Sequence, residues 1–273
     1  MNPIFYPDLK IISLEDIKLQ ELVRKDRYSE LAKSVKEEGI LRNPPLVTPF
    51  LDDDTYLQLD GANRIVVIKT LGYKNCLVQS VDYSDPQQIT LTSWSHVTSV
   101  NKDMFLDRIR KIPHLTITQM PRYDHHATLD PLMIAVVVCA DKSVYLLERD
   151  GTLAQRMESL NKIVDLYGDI VRVFSESAWS WGSIKKRFTL NPGTNLFVQF
   201  PTFSPSQVMQ LVDQKALLPA GVTRHVVYRR KLNVNLPLSF LKIKSLDEAN
   251  EKLQKFLQKK TVRLYEEPVI YFE

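Results

Sequence analysis

Residues Tyr56–Leu71 change their hydrophobic period part-way, and this change constrains the fold more than any other feature of the sequence. Tyr56–Leu59 has the composition of a β-strand, whereas the apolar residues from Ile65 onward recur at helical spacing. Gly72 then supplies a helix stop, and Cys76–Val81 is an apolar run typical of the next strand. The passage therefore predicts a strand, a tight turn, a helix and a second strand.

Strands and helices alternate along the rest of the chain, which predicts a mixed α/β (α+β) protein. Helices are expected at Asp26–Glu38, Lys102–Lys111, Thr152–Tyr167, Ser204–Gln214 and Leu246–Gln258. Further strands are expected at Lys10–Leu14, Leu46–Thr48, Ile89–Trp94, Leu132–Ala140, Ser143–Leu147, Ile170–Phe174, Asn195–Phe200, Thr261–Tyr265 and Pro268–Phe272. Residues 113–131 carry little pattern and fit a crossover between domains. We therefore expect one domain at 1–112 and a second α/β domain at 113–273.

The composition is that of an ordinary globular protein, with 44% hydrophobic and 25% charged residues among 273. The longest apolar run, Leu132–Ala140, is too short to cross a bilayer, and the N-terminal residues lack the pattern of a signal peptide. Cys76 and Cys139 lie in apolar runs, so we expect buried free thiols and a cytoplasmic location. No zinc framework is available, and His125-His126 lack a supporting carboxylate or thiol pattern.

The formal net charge of +4 is mildly basic. Two short clusters contribute to it, Lys185-Lys186-Arg187 and Arg229-Arg230-Lys231. We interpret such runs first as solvated faces, with the binding of nucleic acid or small anions as the alternative.

The turn Asp60-Gly61-Ala62-Asn63-Arg64 is the first candidate site. A glycine between a strand and a helix leaves backbone N–H groups open at the positive end of the helix dipole, and such an arrangement binds anions. Arg64 adds a forked donor suited to phosphate oxygens, and Asp60 could hold Mg²⁺ or orient a hydroxyl. The alternative is a purely structural turn in which Asp60 caps the helix.

Three further candidates lie elsewhere in the chain. Glu21 is an acid in a connecting segment, and in isolation a solvated surface glutamate is the alternative. The loop ending in Thr223-Arg224-His225 combines a hydroxyl, a guanidinium and an imidazole, which could clamp a carboxylate or phosphate. Its alternative is a loop with an exposed arginine. Trp94 could form a pocket wall, although tryptophan in a strand is commonly a core residue.

Several common active-site motifs are missing from the sequence: a P-loop, a G-x-S-x-G elbow, a Cys–His pair with familiar spacing and the protein-kinase signatures. Any use of ATP therefore requires another scaffold. The residues from about 10 to 240 do resemble one such family, the free L-serine kinases of the ParB/sulfiredoxin-like fold, in particular the type in bacterial siderophore clusters. The matching motifs are Leu19-Gln20-Glu21, Asn43-Pro44-Pro45-Leu46-Val47-Thr48, Leu59-Asp60-Gly61 with Arg64, Leu71-Gly72, Trp94, Pro219–His225 and Leu236-Pro237-Leu238.

The resemblance implies a ParB/sulfiredoxin-like nucleotide-binding domain at 1–112 and a C-terminal domain that contributes a substrate loop. It further implies transfer of a phosphoryl group from ATP or ADP, with Mg²⁺, to free L-serine. The product, O-phospho-L-serine, would serve siderophore (diaminopropionate) or cysteine biosynthesis.

Roles for individual residues follow from the same resemblance. Glu21 is implied as the catalytic base, with Asp60 assisting it or binding Mg²⁺. Gly61, Ala62, Asn63 and Arg64 would hold the nucleotide phosphates, and Thr223, Arg224, His225 and Trp94 would bind serine. Asn63 stands where relatives usually carry histidine, and an amide cannot titrate near neutrality.

Two other functions are open on the same fold. A non-catalytic ParB-like regulator that binds nucleotide and DNA is the main alternative, but the strands expected after the first domain leave no compact helical trio for DNA binding. A sulfiredoxin-like reductase would need a reactive cysteine, and Cys76, the nearest to the turn, is expected to be buried. Neither alternative requires a membrane.

Overall fold

The structure is a computed structural model that describes residues 6–23, 28–51, 54–167, 171–174, 179–264 and 269–272. Within these residues there are seven α-helices: Ser29–Glu38 (α1), Ala62–Thr70 (α2), Lys102–Ile109 (α3), Leu153–Val164 (α4), Trp181–Leu190 (α5), Pro205–Asp213 (α6) and Leu246–Leu257 (α7). The strands of the same residues are Leu9–Ser13 (β1), Ile17–Lys18 (β2), Ile40–Leu41 (β3), Leu46–Phe50 (β4), Thr55–Asp60 (β5), Asn75–Ser80 (β6), Ile89–Thr98 (β7), Thr116–Met120 (β8), Met133–Cys139 (β9), Val144–Glu148 (β10), Val171–Phe174 (β11), Leu196–Gln199 (β12), Thr223–Val227 (β13), Arg230–Leu232 (β14), Leu236–Pro237 (β15), Val262–Leu264 (β16) and Val269–Phe272 (β17). The predicted mixed α/β class is confirmed.

The described residues form two compact units. Unit 1 comprises the described residues of two stretches, Met1–Thr90 and His225–Glu273. Unit 2 comprises the described residues of Leu91–Arg224. These boundaries differ from the predicted domains at 1–112 and 113–273, because the last part of the chain returns to the first unit. A segment that returns in this way leaves no local signal in the sequence.

A five-stranded sheet with the order β1-β6-β4-β5-β2 is the framework of unit 1. Helix α2 directly follows β5, and its residues Ile65, Val67 and Ile68 are buried in a core shared with the sheet. Helix α7 lies along the edge strand β1, where the Asn250 side chain both accepts from the Ile11 N–H (2.7 Å) and donates to the Ile11 carbonyl (2.9 Å). The C-terminal segment thus satisfies backbone groups that an open sheet edge would leave unpaired.

Unit 2 contains most of a larger sheet, in which β11, β7, β12, β9, β10 and β8 pair in that order and β13 pairs with β7. Strand β9 is buried along its whole length, as the continuous apolar run predicted. Its neighbour β10 follows through a hairpin with the register Val144 to Val138. The sheet packs on a core that includes Trp179 and Phe197, whose rings meet edge to face at 4.8 Å between centroids.

Local capping signals locate the helix ends well. Helix α1 ends at Gly39, which adopts the left-handed φ of 67° that the predicted stop required. Helix α6 is capped by Ser204 and begins with Pro205, as predicted, and Gln207 completes a capping box. Four ends of predicted elements, at Asp26, Ile170, Tyr265 and Pro268, lie outside the described residues.

Three segments differ from the sequence prediction. Residues 113–131 are not an unpatterned crossover, because they contain β8, which pairs along its length with β10. Helix α5 was not predicted, although it has a complete capping box between Ser180 and Ser183. The expected loop at Thr223-Arg224-His225 is also a strand, β13. The two strands are short and lack a clear apolar alternation, so that pairing with β10 and with β7 determines them.

Candidate active site

The turn between β5 and α2 has the geometry of an anion site. Gly61 precedes the helix with φ of 88°, a left-handed conformation that favours glycine. A Cβ atom at this position would lie 2.7 Å from the terminal nitrogen of Arg64, whose guanidinium folds back over the turn. The Arg64 guanidinium therefore lies at the N-terminus of α2, where the first N–H groups of the helix also attract negative charge.

Asp60, the last residue of β5, is paired with two arginines. Its Oδ2 accepts from Arg64 Nη2 at 2.7 Å and from Arg230 Nη2 at 3.4 Å. Burial by itself raises the pKa of the Asp60 carboxyl, but the two guanidinium charges and their hydrogen bonds outweigh it and the pKa is lowered. Asp60 is therefore ionised at neutral pH, and the three side chains together carry one net positive charge.

Arg230 was missed by the sequence analysis, which interpreted Arg229-Arg230-Lys231 as a solvated face. That interpretation is wrong for two of its members: the side chains of Arg230 and Lys231 are only 12% and 8% exposed. Arg230 donates to the Gln79 side-chain oxygen (2.9 Å) and the Pro44 carbonyl, and Lys231 pairs with Asp8. Buried cations need such partners, and these lie far away in sequence.

Glu21 follows β2 and is half-buried. Its neighbour Gln20 is fully buried and donates its side-chain amide to the Leu59 carbonyl at 2.8 Å. The Gln20 N–H also donates to the Gln58 side chain at 3.3 Å. Because Leu59 and Gln58 directly precede Asp60, this anchor fixes the backbone that carries Glu21 to the end of β5.

His225 belongs to unit 1, where its ring meets Tyr83. The Tyr83 hydroxyl and His225 Nε2 are 2.7 Å apart, and the Leu59 backbone also hydrogen-bonds the histidine. Burial lowers the pKa of His225 to about 4, against the opposing effects of the Asp60 charge and the Leu59 carbonyl. The imidazole is therefore neutral at pH 7, so it can act as a hydrogen-bonding group but not as a cation.

Ala62 and Asn63 begin α2 in unit 1, and the predicted substrate residues other than His225 lie in unit 2. The Arg224 guanidinium stacks over the Trp94 ring at 5.1 Å from its centroid, a cation–π contact. The backbone N–H of Trp94, in β7, donates to the Val222 carbonyl at 2.8 Å. The Thr92 hydroxyl on the same strand donates to the Arg224 carbonyl at 3.3 Å. Thr223 is buried beside them. The structure thus brings together the three predicted substrate residues of unit 2.

The structure also bears on two predictions about cysteine and histidine. Cys76 and Cys139 are free and buried, as predicted, and burial raises the pKa of Cys76 to about 12. A thiol of this kind is a poor nucleophile, which argues against a reductase. The statement that His125-His126 lack a carboxylate was wrong: atoms of Asp124 and both histidines lie within 4.8 Å of one another. The Asp124 carboxylate also accepts from the His126 N–H as a helix cap.

No protein-family model matches the sequence. The ATP-dependent L-serine kinase SbnI from Staphylococcus aureus is 24% identical over the full length of both chains. An ATP-dependent L-serine kinase from Staphylothermus marinus is 30% identical over 40% of this chain and 43% of its own length. The solved structure of SbnI with a C-terminal truncation superposes with a TM-score of 0.71, at 21% identity, covering 94% of this chain and 98% of that one.

A free serine kinase structure in complex with AMP gives a TM-score of 0.70 over 86% of this chain and 93% of its own, at 17% identity. This chain has the fold of the free serine kinases. That structure carries a glutamate-to-alanine substitution, and the same variant has also been solved with ADP. Within the part of this chain that the structure describes, none of the helices is long and apolar enough to cross a membrane.

Proposed function

We propose that this chain is an ATP-dependent kinase that phosphorylates the hydroxyl group of free L-serine. The observation that carries the proposal is the arginine-paired turn at the N-terminus of α2, on a fold shared with free serine kinases that bind AMP and ADP. The whole-length similarity to SbnI adds support.

In the proposed reaction the serine hydroxyl oxygen attacks the terminal phosphorus of the nucleotide. The bond between that phosphorus and its bridging oxygen breaks, which releases the nucleotide with one phosphate fewer and gives O-phospho-L-serine. Such transfers depend mainly on positioning and on neutralising the charge of the phosphoryl oxygens. The α2 N-terminus and Arg64 supply that function in our proposal.

We assign the removal of the hydroxyl proton to Glu21. The assignment is supported by the backbone of Glu21, which is tied through Gln20 to the strand that ends in Asp60. Free serine kinases in which a glutamate has been replaced by alanine or by glutamine have been solved in complex with AMP, so nucleotide binding in those proteins does not require that glutamate.

The serine carboxylate is assigned to Arg224, with Thr223, Trp94 and His225 as further substrate contacts. Stacking on Trp94 fixes the plane of the Arg224 guanidinium, and a fixed fork is suited to a planar carboxylate. His225 is neutral and its ring already bonds the Tyr83 hydroxyl and the Leu59 backbone, so a hydrogen bond to serine requires it to exchange one of these partners.

Mg²⁺ fits this site through Asp60, because both arginines use Oδ2 and Mg²⁺ is usually held by one or two carboxylates together with substrate phosphates. When bound, the ion would neutralise charge on the phosphoryl oxygens. Ala62 and Asn63 are assigned to the phosphates through their places in the first turn of α2. We also propose a cytoplasmic location, which suits two reduced thiols.

The proposal is tested by mass spectrometry of serine, threonine and homoserine incubated with the protein, Mg²⁺ and either ATP or ADP. We expect phosphoserine as the main product with ATP. Glu21→Gln should lower its formation by roughly a hundredfold to ten-thousandfold and leave AMP affinity nearly unchanged. Glu15→Gln, an exposed glutamate of the same unit, is the matched control.

Absence of phosphoserine in the wild-type reaction would contradict the kinase assignment. Equal loss of AMP binding and turnover in Glu21→Gln would contradict the role of Glu21 alone. The alternative of a ParB-like regulator has no support among the relatives, and a salt-dependent gel shift without phosphoserine formation would favour it.

A further inference from the structure

The two arginines that meet Asp60 are not equivalent. The Arg64 side chain is 20% exposed and that of Asp60 is 54% exposed, whereas Arg230 is 12% exposed. Arg64 also donates to the Asn43 carbonyl at 3.1 Å, but it extends over the open turn at Gly61. Only Arg64 therefore combines a contact with Asp60 and a position at the helix N-terminus.

Arg230 is held by hydrogen bonds to three different residues. One nitrogen donates to the buried Gln79 side chain at 2.9 Å, and the other donates to the Pro44 carbonyl and to Asp60. Gln79 is itself held, because its oxygen accepts from the Lys231 N–H at 3.0 Å and its amide donates to Asp8 at 3.2 Å. Burial lowers the pKa of Arg230 to about 10, so it stays cationic at neutral pH.

We propose that Arg230 is a positioning residue, the permanent counter-ion of Asp60, which allows Arg64 to leave the carboxylate and bind a nucleotide phosphate. An ionised carboxylate that loses its partner is costly in a partly enclosed site. With Arg230 in place, Arg64 can exchange Asp60 for a phosphate oxygen while Asp60 keeps one guanidinium. Without Arg230, the phosphate and Asp60 compete for the single remaining arginine.

This inference takes the identity of its ligand from the proposed kinase function, but its test does not require turnover. AMP binding is measured by calorimetry in EDTA, which excludes both catalysis and metal binding by Asp60. Arg230→Gln should weaken AMP binding by at least about tenfold, the loss expected for one charged pair. Arg42→Gln is the matched control, since it makes the same change at an exposed arginine paired with Glu38.

A double variant separates the counter-ion role from a merely structural one. If Arg230 acts by neutralising Asp60, adding Asp60→Asn to Arg230→Gln should restore AMP affinity to within about threefold of wild type. In this double variant Arg64 no longer pairs with a carboxylate and can bind the phosphate of AMP. A structural defect would persist in the double variant. Persistence of the loss, or an unchanged affinity in Arg230→Gln, overturns the inference.

A third variant covers the case in which Arg230→Gln does not fold. Asp60→Asn by itself frees Arg64 and should bind AMP as tightly as wild type or more tightly. If it binds AMP more than about threefold more weakly, the proposed exchange is wrong. If wild-type protein fails to bind AMP or ADP at all, it is the proposed kinase function that fails.

Discussion

Acidification is expected to destabilise unit 1 through His225. The folded pKa of this histidine is about 4, and the ordinary value of 6.5 applies when the chain is unfolded. Between these two values the unfolded chain binds more protons, so stability falls as the pH falls from 6.5 towards 4 and the contribution is complete above 6.5. The shift corresponds to about 3 kcal/mol in full, of which about 2 kcal/mol is lost between pH 7 and pH 5.

The assay is urea unfolding at pH 7 and pH 5 for wild type and His225→Gln. The three tryptophans, Trp94, Trp179 and Trp181, all belong to unit 2, so fluorescence does not follow unit 1. Far-UV circular dichroism, or amide exchange of Leu59, is the appropriate probe. Other histidines contribute equally to both proteins and cancel in the comparison.

In His225→Gln the amide can still accept from the Tyr83 hydroxyl, but it cannot titrate. The loss of stability between pH 7 and pH 5 should therefore shrink by about 2 kcal/mol relative to wild type. His114→Gln removes an exposed imidazole and is the matched control. If His225→Gln kept the whole pH difference of wild type, the imidazole of His225 would not be held neutral in the folded protein.

Three further predictions concern single substitutions. Arg224→Ala should raise the serine KM by about tenfold to a hundredfold and leave the nucleotide KM nearly unchanged in steady-state assays, and an unaltered serine KM would remove Arg224 from the substrate site. Gly61→Ala should lower the free energy of unfolding by about 1–2 kcal/mol, because the residue has a left-handed φ. Its methyl group should also displace the Arg64 guanidinium and so weaken AMP binding measured by calorimetry, and full retention of AMP affinity would contradict this. Asn101→Ala should destabilise α3 by about 1 kcal/mol, because the Asn101 side chain accepts a hydrogen bond from the Met104 N–H. Urea unfolding followed by tryptophan fluorescence measures this loss, and an unchanged stability would contradict the prediction.

The parts of the fold that could be predicted are those with a local cause. The strand, turn and helix around Gly61 were predicted because a change of period and a glycine lie within a few residues. The same holds for the end of α1 at Gly39 and the start of α6 at Ser204. These signals operate over one helical turn, so no knowledge of the tertiary structure was needed.

The parts that could not be predicted depend on pairing between distant segments. Arg230 lies 170 residues from Asp60, and Lys231 lies 223 residues from Asp8. A run of basic residues has the same sequence whether it meets water or a buried carboxylate. Strand β8 likewise lacks an apolar period, and its pairing with β10 gives it its conformation.

The candidate site shows the same division. The turn Asp60–Arg64 was a candidate from its own residues and geometry. Glu21 and Thr223-Arg224-His225 were also candidates from their residue types, but only the family resemblance gave them roles in catalysis and substrate binding. Gln20, Tyr83 and Arg230 were given no role in it from the sequence, because each holds another group in place. A side chain of this kind has no characteristic motif, and only its contacts reveal its function.

Unit 1 is built from two stretches of chain separated by the whole of unit 2, and this has a consequence for biosynthesis. During translation the sheet of β1 to β6 leaves the ribosome early, but Asn250, which pairs with β1, and Arg230, which pairs with Asp60, are made only after unit 2. Unit 2 can therefore complete its own contacts first, while the outer edge of β1 still lacks the hydrogen bonds of Asn250. Nascent chains arrested before residue 225 should expose that edge to chaperones.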